Sequence, residues 1–243
     1  MTIYQKIKEA IAADKKLFAV LIDPDKCIGD TLTQFIDLCK KASPDLILIG
    51  GSLTTESTDL LIESIKKACS IPVVLFPGSA SQFSPKADAM LYLSLISGRN
   101  PDFLIGQHVI SAPFIKKSGI ETMSTGYMLI ESGATTSVEY MSNTRAIPHK
   151  KTSIAVATAI AGELLGNKLI YLEAGSGAKL PVSAEMIQAV KQNISIPLIV
   201  GGGLRTPADI QNAIHAGADI IVAGNILEKD PELMVEFGRV IKA

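Results

Sequence analysis

The chain has no tryptophan, 5% aromatic residues, three histidines and three cysteines in 243 residues. Each scarcity excludes something. Cys27, Cys39 and Cys69 are an odd number without metal-like pairing, which argues against a disulfide framework or a cysteine-based metal centre and suits a reducing cytoplasm. No apolar run approaches the length of a membrane span. The opening segment MTIYQKIKEAIAADKK reads as a charged amphipathic helix and lacks the apolar core and small-residue cleavage site of a signal peptide. Neither sign of charge is in marked excess, with 23 Lys and Arg against 24 Asp and Glu, so a nucleic-acid partner has little electrostatic support. GxGxxG and Walker signatures are absent, as is any Cys/His nucleophile arrangement.

What is abundant is aliphatic sequence. Hydrophobic residues make up 47% of the chain, and they fall into eight short, β-branched-rich runs: 17–23, 46–52, 71–78, 89–95, 122–131, 168–177, 196–203 and 219–225. Runs that are apolar almost throughout are buried on both faces, which indicates a parallel sheet covered by helices. Between them lie segments such as TDLLIESIKKACS and PADIQNAIHAGA, with apolar residues at helical spacing behind good N-cap residues. Eight βα units in this length predict one (β/α)₈ TIM barrel, a single domain over 1–243.

Two spacings stand out. Only ten residues, SASQFSPKAD, separate the third run from the fourth, too few for a full crossover helix. The barrel is therefore expected to lack its third outer helix, leaving either a slot for an elongated apolar ligand or an irregular packed crossover. The polar stretch 132–151 is too long for a tight turn and is expected to form an excursion at the catalytic face or an oligomer contact. A faint repeat, SIPVVLFPG and SIPLIVGGG, introduces the third and seventh strands.

In this fold chemistry belongs to the strand ends. Gly175, Gly177, Gly201, Gly202, Gly203 and Gly224 cluster at the ends of strands six to eight, with the helix start TPADI nearby; such a nest of backbone N–H groups holds a phosphate dianion. The competing reading gives these glycines only tight turns and close packing. Across the mouth, Asp23 ends strand one and Ser52 ends strand two. One carboxylate and one hydroxyl form a sparse hard-oxygen set suited to Mg²⁺ shared with a diphosphate, unless both merely cap helices. Glu173, at the end of an apolar strand, is a candidate general base rather than a solvated acid. His108, His149 and His215 read as surface or packing residues; Arg205 reads as a phosphate ligand or a surface pair.

The words LIDPDK (21–26), IGGS (49–52), YLEAGSGA (171–178), VGGG (200–203) and AGN (223–225), in this order, resemble the geranylgeranylglyceryl phosphate synthase family, which includes bacterial heptaprenylglyceryl phosphate synthases. The resemblance covers essentially the whole chain. It implies a modified barrel lacking a regular third outer helix, and prenyl transfer from an allylic diphosphate, geranylgeranyl diphosphate foremost, to the C3 hydroxyl of sn-glycerol 1-phosphate with Mg²⁺. Carried over by position, it implies that Asp23 and Ser52 hold the metal. It also implies that Tyr171, Leu172, Glu173, Ala174, Gly175, Ser176, Gly177, Gly202, Gly203, Gly224 and Asn225 bind glycerol phosphate, with Glu173 as base. Leu21 stands where some members carry a lysine, so a diphosphate contact must come from elsewhere, with Lys26 the candidate.

The family forms dimers or hexamers, and Tyr140 and Met141 in the excursion are the candidate contact patch. A cytoplasmic enzyme with transient membrane contact is expected. Two other readings share the phosphate nest: an isomerase or lyase of a sugar or indole-glycerol phosphate, and a non-catalytic phosphometabolite-binding barrel. The former needs a second acid or base facing the phosphate; both leave a prenyl-sized slot without use.

Overall fold

A computed structural model describes residues 1–243. Eight parallel strands close in sequence order: β1 Leu17–Ile22, β2 Leu46–Ile49, β3 Val73–Leu75, β4 Ala89–Leu95, β5 Glu121–Leu129, β6 Leu169–Glu173, β7 Leu198–Gly201 and β8 Ile220–Ala223. The β1–β8 pairing, Leu17 opposite Ile220, seals the barrel. Helices α1 Ile3–Ala12, α2 Asp30–Ala42, α3 Thr58–Ala68, α4 Gln107–Ser118, α5 Ser137–Ser142, α6 Thr152–Leu164, α7 Ala184–Lys191, α8 Pro207–His215, α9 Asn225–Lys229 and α10 Leu233–Lys242 complete it.

Strand alternation divides the core in two. Leu17, Ala19, Leu48, Leu91, Tyr171 and Ile199 belong to one cluster, the barrel interior, together with Ile3 and Ile7 of α1. Phe18, Val20, Ile170, Leu172 and Val200 belong to the other, where the strands meet the outer helices. Odd-numbered residues of β1 and β6 thus face inward. Glu173, two residues beyond Tyr171, inherits that inward direction at the strand's C-terminal end. Helix α1 belongs at the opposite end: Glu121, which begins β5, accepts hydrogen bonds from the N–H groups of Ile3 (2.6 Å) and Tyr4 (2.8 Å).

The short third crossover is realised. Between β3 and β4 only Ala80–Gln82 makes a single 3₁₀ turn. Its place is fixed by polar ties: Gln82 accepts from Gly78 N–H (2.9 Å) and donates to the Gly51 carbonyl (2.8 Å), and Gln107 accepts from Ala80 N–H (3.2 Å). The crossover is therefore anchored to β2's loop on one side and α4 on the other, and the wall between α3 and α4 stays thin.

Candidate active site

Two cavities meet at the C-terminal ends of the strands. One is an open polar cleft lined by Asp23, Lys26, Glu173, Gly175, Gly202 and Asn225 among others. The other is a predominantly apolar slot at the missing helix, whose walls include Phe83, Met90, Leu93, Phe103 and Ile115. Gly51, Ser52, Phe76, Tyr127, Val138 and Met141 border both. The short crossover thus leaves an apolar slot while itself forming an irregular, hydrogen-bonded link, and the slot opens beside the predicted metal corner.

Glu173 is 6% exposed. Its Oε1 accepts a hydrogen bond from Gly175 N–H at 2.7 Å. Burial raises its pKa above the ordinary 4.5, opposed by the neighbouring Tyr171 hydroxyl and the Gly175 N–H. That hydroxyl is buried beside the carboxylate but makes no hydrogen bond of good geometry. Burial, and next the charge of Glu173, push the Tyr171 phenol well above its usual value.

The glycines turn out to serve protein groups as well as an open cleft. A Cβ on Gly201 would press on the Tyr171 hydroxyl and on Glu173 Oε2; one on Gly202 would strike Glu173 Oε1 and the backbone nitrogens of Ala174 and Gly175. Gly202 also has φ +77°, so both its conformation and its surroundings exclude a side chain. The close-packing reading thus applies to the triple glycine, while Gly202 and Gly203 still line the cleft. Asn225 Nδ2 donates to Ser176 Oγ at 2.6 Å, tying the loop after β8 to the loop after β6 across the cradle.

Two expectations need correction, and a third is sharpened. The Leu172 and Ala174 side chains are fully buried in the outer core, because strand alternation turns them away from the cleft. The start of α8 is closed by its own capping box, in which Asp209 Oδ2 accepts from the N–H groups of Arg205 (3.0 Å) and Thr206 (2.9 Å). The start of α9, at Gly224, has no side-chain cap, and its first residues line the cleft. His108 is a wall residue of the slot, stacked edge-on against Tyr92 at 4.6 Å, with Nδ1 buried and unpartnered; burial lowers its pKa.

Asp23 and Ser52 do not cap helices: α2 begins behind Gly29 and α3 behind Ser57. Asp23 Oδ1 accepts only its own turn's Asp25 N–H (3.1 Å), and its Oδ2 lies against Gly51, next to Ser52. No cluster of three His, Cys, Asp or Glu side chains exists to cage a metal. Two hard-oxygen groups at the junction fit a hydrated Mg²⁺ that takes its remaining ligands from water and substrate. Asp25 pins the loop after β2 by accepting from Thr55 N–H and Glu56 N–H, each at 2.9 Å. Arg205 donates to the Ala178 carbonyl, joining the loop after β7 to the loop after β6.

A model of the PcrB family matches residues 9–241. Geranylgeranylglyceryl phosphate synthase of Chitinophaga pinensis is 50% identical over 99% of this chain and 96% of its own length. The chain belongs to the PcrB family. The namesake enzyme of Spirosoma linguale is 48% identical over the whole of this chain and 96% of its own. Among solved structures, (S)-3-O-geranylgeranylglyceryl phosphate synthase of Thermoplasma acidophilum, in complex with its substrate sn-glycerol-1-phosphate, superposes with a TM-score of 0.91 at 31% identity, covering 100% of this chain and 99% of the other. With such relatives over its full span, this PcrB-family chain is an enzyme of the prenyltransferase class, as the sequence motifs implied.

The sequence reading missed Phe76 and Tyr127. Both rings border slot and cleft and pack against the fully buried Tyr171, centroids 5.4 to 5.9 Å apart. The signal available was their position: Tyr127 has the inward parity of β5, and Phe76 directly follows β3.

Proposed function

We propose that the enzyme transfers a prenyl group, geranylgeranyl foremost, from its diphosphate to the C3 hydroxyl of sn-glycerol 1-phosphate. The carrying observation is the meeting of an open, glycine-lined cleft and an apolar slot at Ser52, Phe76 and Tyr127, beside Asp23. An isomerase or a non-catalytic binder would leave that slot without an occupant.

Glycerol phosphate would sit with its phosphate among Gly175, Ser176, Gly177, Gly202, Gly203, Gly224 and Asn225, which places its C3 hydroxyl near Glu173. Anchoring one end of a small acceptor in this way replaces a bimolecular encounter by a positioned one. The donor tail would lie in the slot, each buried methylene contributing about 0.8 kcal/mol. Asp23 and Ser52 would hold Mg²⁺, which when bound supplies neutralising charge to the diphosphate. The C1–O bond to diphosphate breaks with its electron pair leaving on the phosphate oxygen. The C3 oxygen then bonds to C1, and its proton passes to Glu173.

The same proposal treats residues 1–243 as one catalytic domain in a homo-oligomeric cytoplasmic enzyme, dimer or hexamer, that touches the membrane only to collect lipid. Its three free cysteines fit a reducing compartment. No helix is long and apolar enough to cross a membrane.

One incubation tests the reading: sn-glycerol 1-phosphate, Mg²⁺ and a labelled set of prenyl diphosphates, with and without EDTA. An ether product that disappears on chelation and returns with added Mg²⁺ is expected. Binding of glycerol phosphate with no product from any donor would remove the transferase assignment, and full activity after chelation would remove the metal role.

A further inference from the structure

The turn after β1 and helix α9 after β8 meet over the cleft, because β1 and β8 are neighbours in the barrel. There Lys26 Nζ lies 3.1 and 2.9 Å from the two carboxylate oxygens of Glu228 and 3.7 Å from Asp23 Oδ2. All three residues line the cleft. Resting on the reaction proposed above, we propose that Lys26 is the protein's own ligand for the leaving diphosphate, and that Glu228 is a positioning residue that holds Lys26 off Asp23 until the donor binds.

Several observations converge on Lys26. Its backbone is fixed by the tight turn in which Lys26 N–H and Cys27 N–H both donate to the Asp23 carbonyl at 3.1 Å, so its side chain departs from a set point beside the metal corner. Two other cations line the cleft, Arg205 and Lys229. Arg205 is tied to the Ala178 carbonyl on the acceptor side, and Lys229 forms no ion pair and lies at the end of α9. Lys26 alone stands within ion-pair distance of Asp23.

The ammonium has three donors on a flexible four-carbon stem, so it can keep Glu228 while turning a remaining N–H to a phosphate oxygen. As the allylic C1–O bond breaks, its electron pair settles on the departing diphosphate. Lys26 remains protonated and its charge opposes that gain, a stabilisation that grows along the reaction coordinate.

Glu228 answers a conflict within the same corner. An unrestrained ammonium 3.7 Å from Asp23 would close onto that carboxylate and compete with a metal for it. With two oxygens within hydrogen-bond distance, Glu228 holds the ammonium on the far side. The pair adds little to stability, because the Lys26 and Glu228 side chains are 50% and 31% exposed. Substitution should leave the fold intact.

The test titrates wild type, Lys26→Gln, Lys26→Arg, Glu228→Gln and Glu228→Asp calorimetrically with inorganic diphosphate in Mg²⁺, and separately with sn-glycerol 1-phosphate. Melting temperatures serve as the folding control. Lys26→Gln should weaken diphosphate binding by about tenfold to a hundredfold, the range for a lost charged hydrogen bond, with glycerol phosphate affinity within about twofold of wild type and Lys26→Arg close to wild type. Glu228→Gln should raise the Mg²⁺ concentration needed for half-maximal diphosphate binding, and Glu228→Asp should largely restore it. Unchanged diphosphate affinity in Lys26→Gln, or equal losses for both ligands, overturns the role of Lys26 while wild-type prenyl transfer stands. An unchanged Mg²⁺ requirement in Glu228→Gln overturns the role of Glu228. A wild type that binds no diphosphate overturns the proposed reaction together with this assignment.

Discussion

At the scale of single residues, Glu173 shows how position sets chemistry. Its inward parity on β6 aims it at the cleft and its burial makes ionisation costly, while Gly175 N–H supports the charged form. Glu173→Gln keeps that hydrogen bond and removes the base; turnover should fall by about 10²- to 10⁴-fold with glycerol phosphate affinity nearly unchanged, as steady-state kinetics beside calorimetry would show. The pH dependence has a definite sign. If Glu173 serves as the proposed base, the working form is the carboxylate, so with its pKa raised above 4.5, activity should fail on acidification at a higher pH than an ordinary glutamate would dictate. A raised carboxyl pKa in the folded state favours the protonated form, whose contribution to stability is present at low pH and lost as pH rises through the folded value. The amide in Glu173→Gln cannot ionise, so the variant should melt above wild type at pH 8, with the gap closing below the ordinary 4.5; identical melting curves at both pH values would show that this burial carries no cost. Glu173 and Asp23 were legible because each ends an apolar strand. Lys26 was legible only as a candidate, since its partner Glu228 is 202 residues away.

Among the elements, the absent third outer helix leaves the apolar slot in which the proposed donor tail would lie. Counting ten residues between strands revealed it, because chain length limits what a crossover can contain. What lines the resulting slot was not countable. His108 could be read as surface or packing but not placed in the slot, because α4 carries apolar side chains on both faces: Ile115 on the slot side, and Val109, Ile110 and Phe114 exposed to solvent. Helix α5 was hidden in a polar stretch, and its Thr136 cap packs against Gly175. The start of α8 misled because capping boxes and anion sites begin with the same residue types. Ala80 lies in the slot wall with its backbone fixed by Gln107. Ala80→Phe should shorten the longest donor accepted by about one isoprene unit, since overpacking a built site is resisted by its surroundings; the product lengths formed from mixed prenyl diphosphates measure this, and an unaltered distribution would move the tail out of the slot.

For the molecule as a whole, the eight strands and their closure followed from the apolar runs, with boundaries trimmed by up to four residues where loop glycines had been counted as strand. Assembly is less legible, because a surface patch declares its exposure but not its partner. Tyr140 is 80% exposed and Met141 46%, on the excursion that also borders the cleft. Tyr140→Glu should lower the sedimentation mass of the native particle, since a charge there cannot be buried against a second copy. Unchanged mass with a raised KM would assign the ring to substrate instead.

The thin wall between α3 and α4 has a further consequence for traffic. A chain of isoprenes seated in a side window need not be threaded through a tunnel or backed out of one. On the proposed placement, the finished ether would have its charged head in one chamber and its oily end in the next, and would leave broadside toward a surface able to receive both parts together.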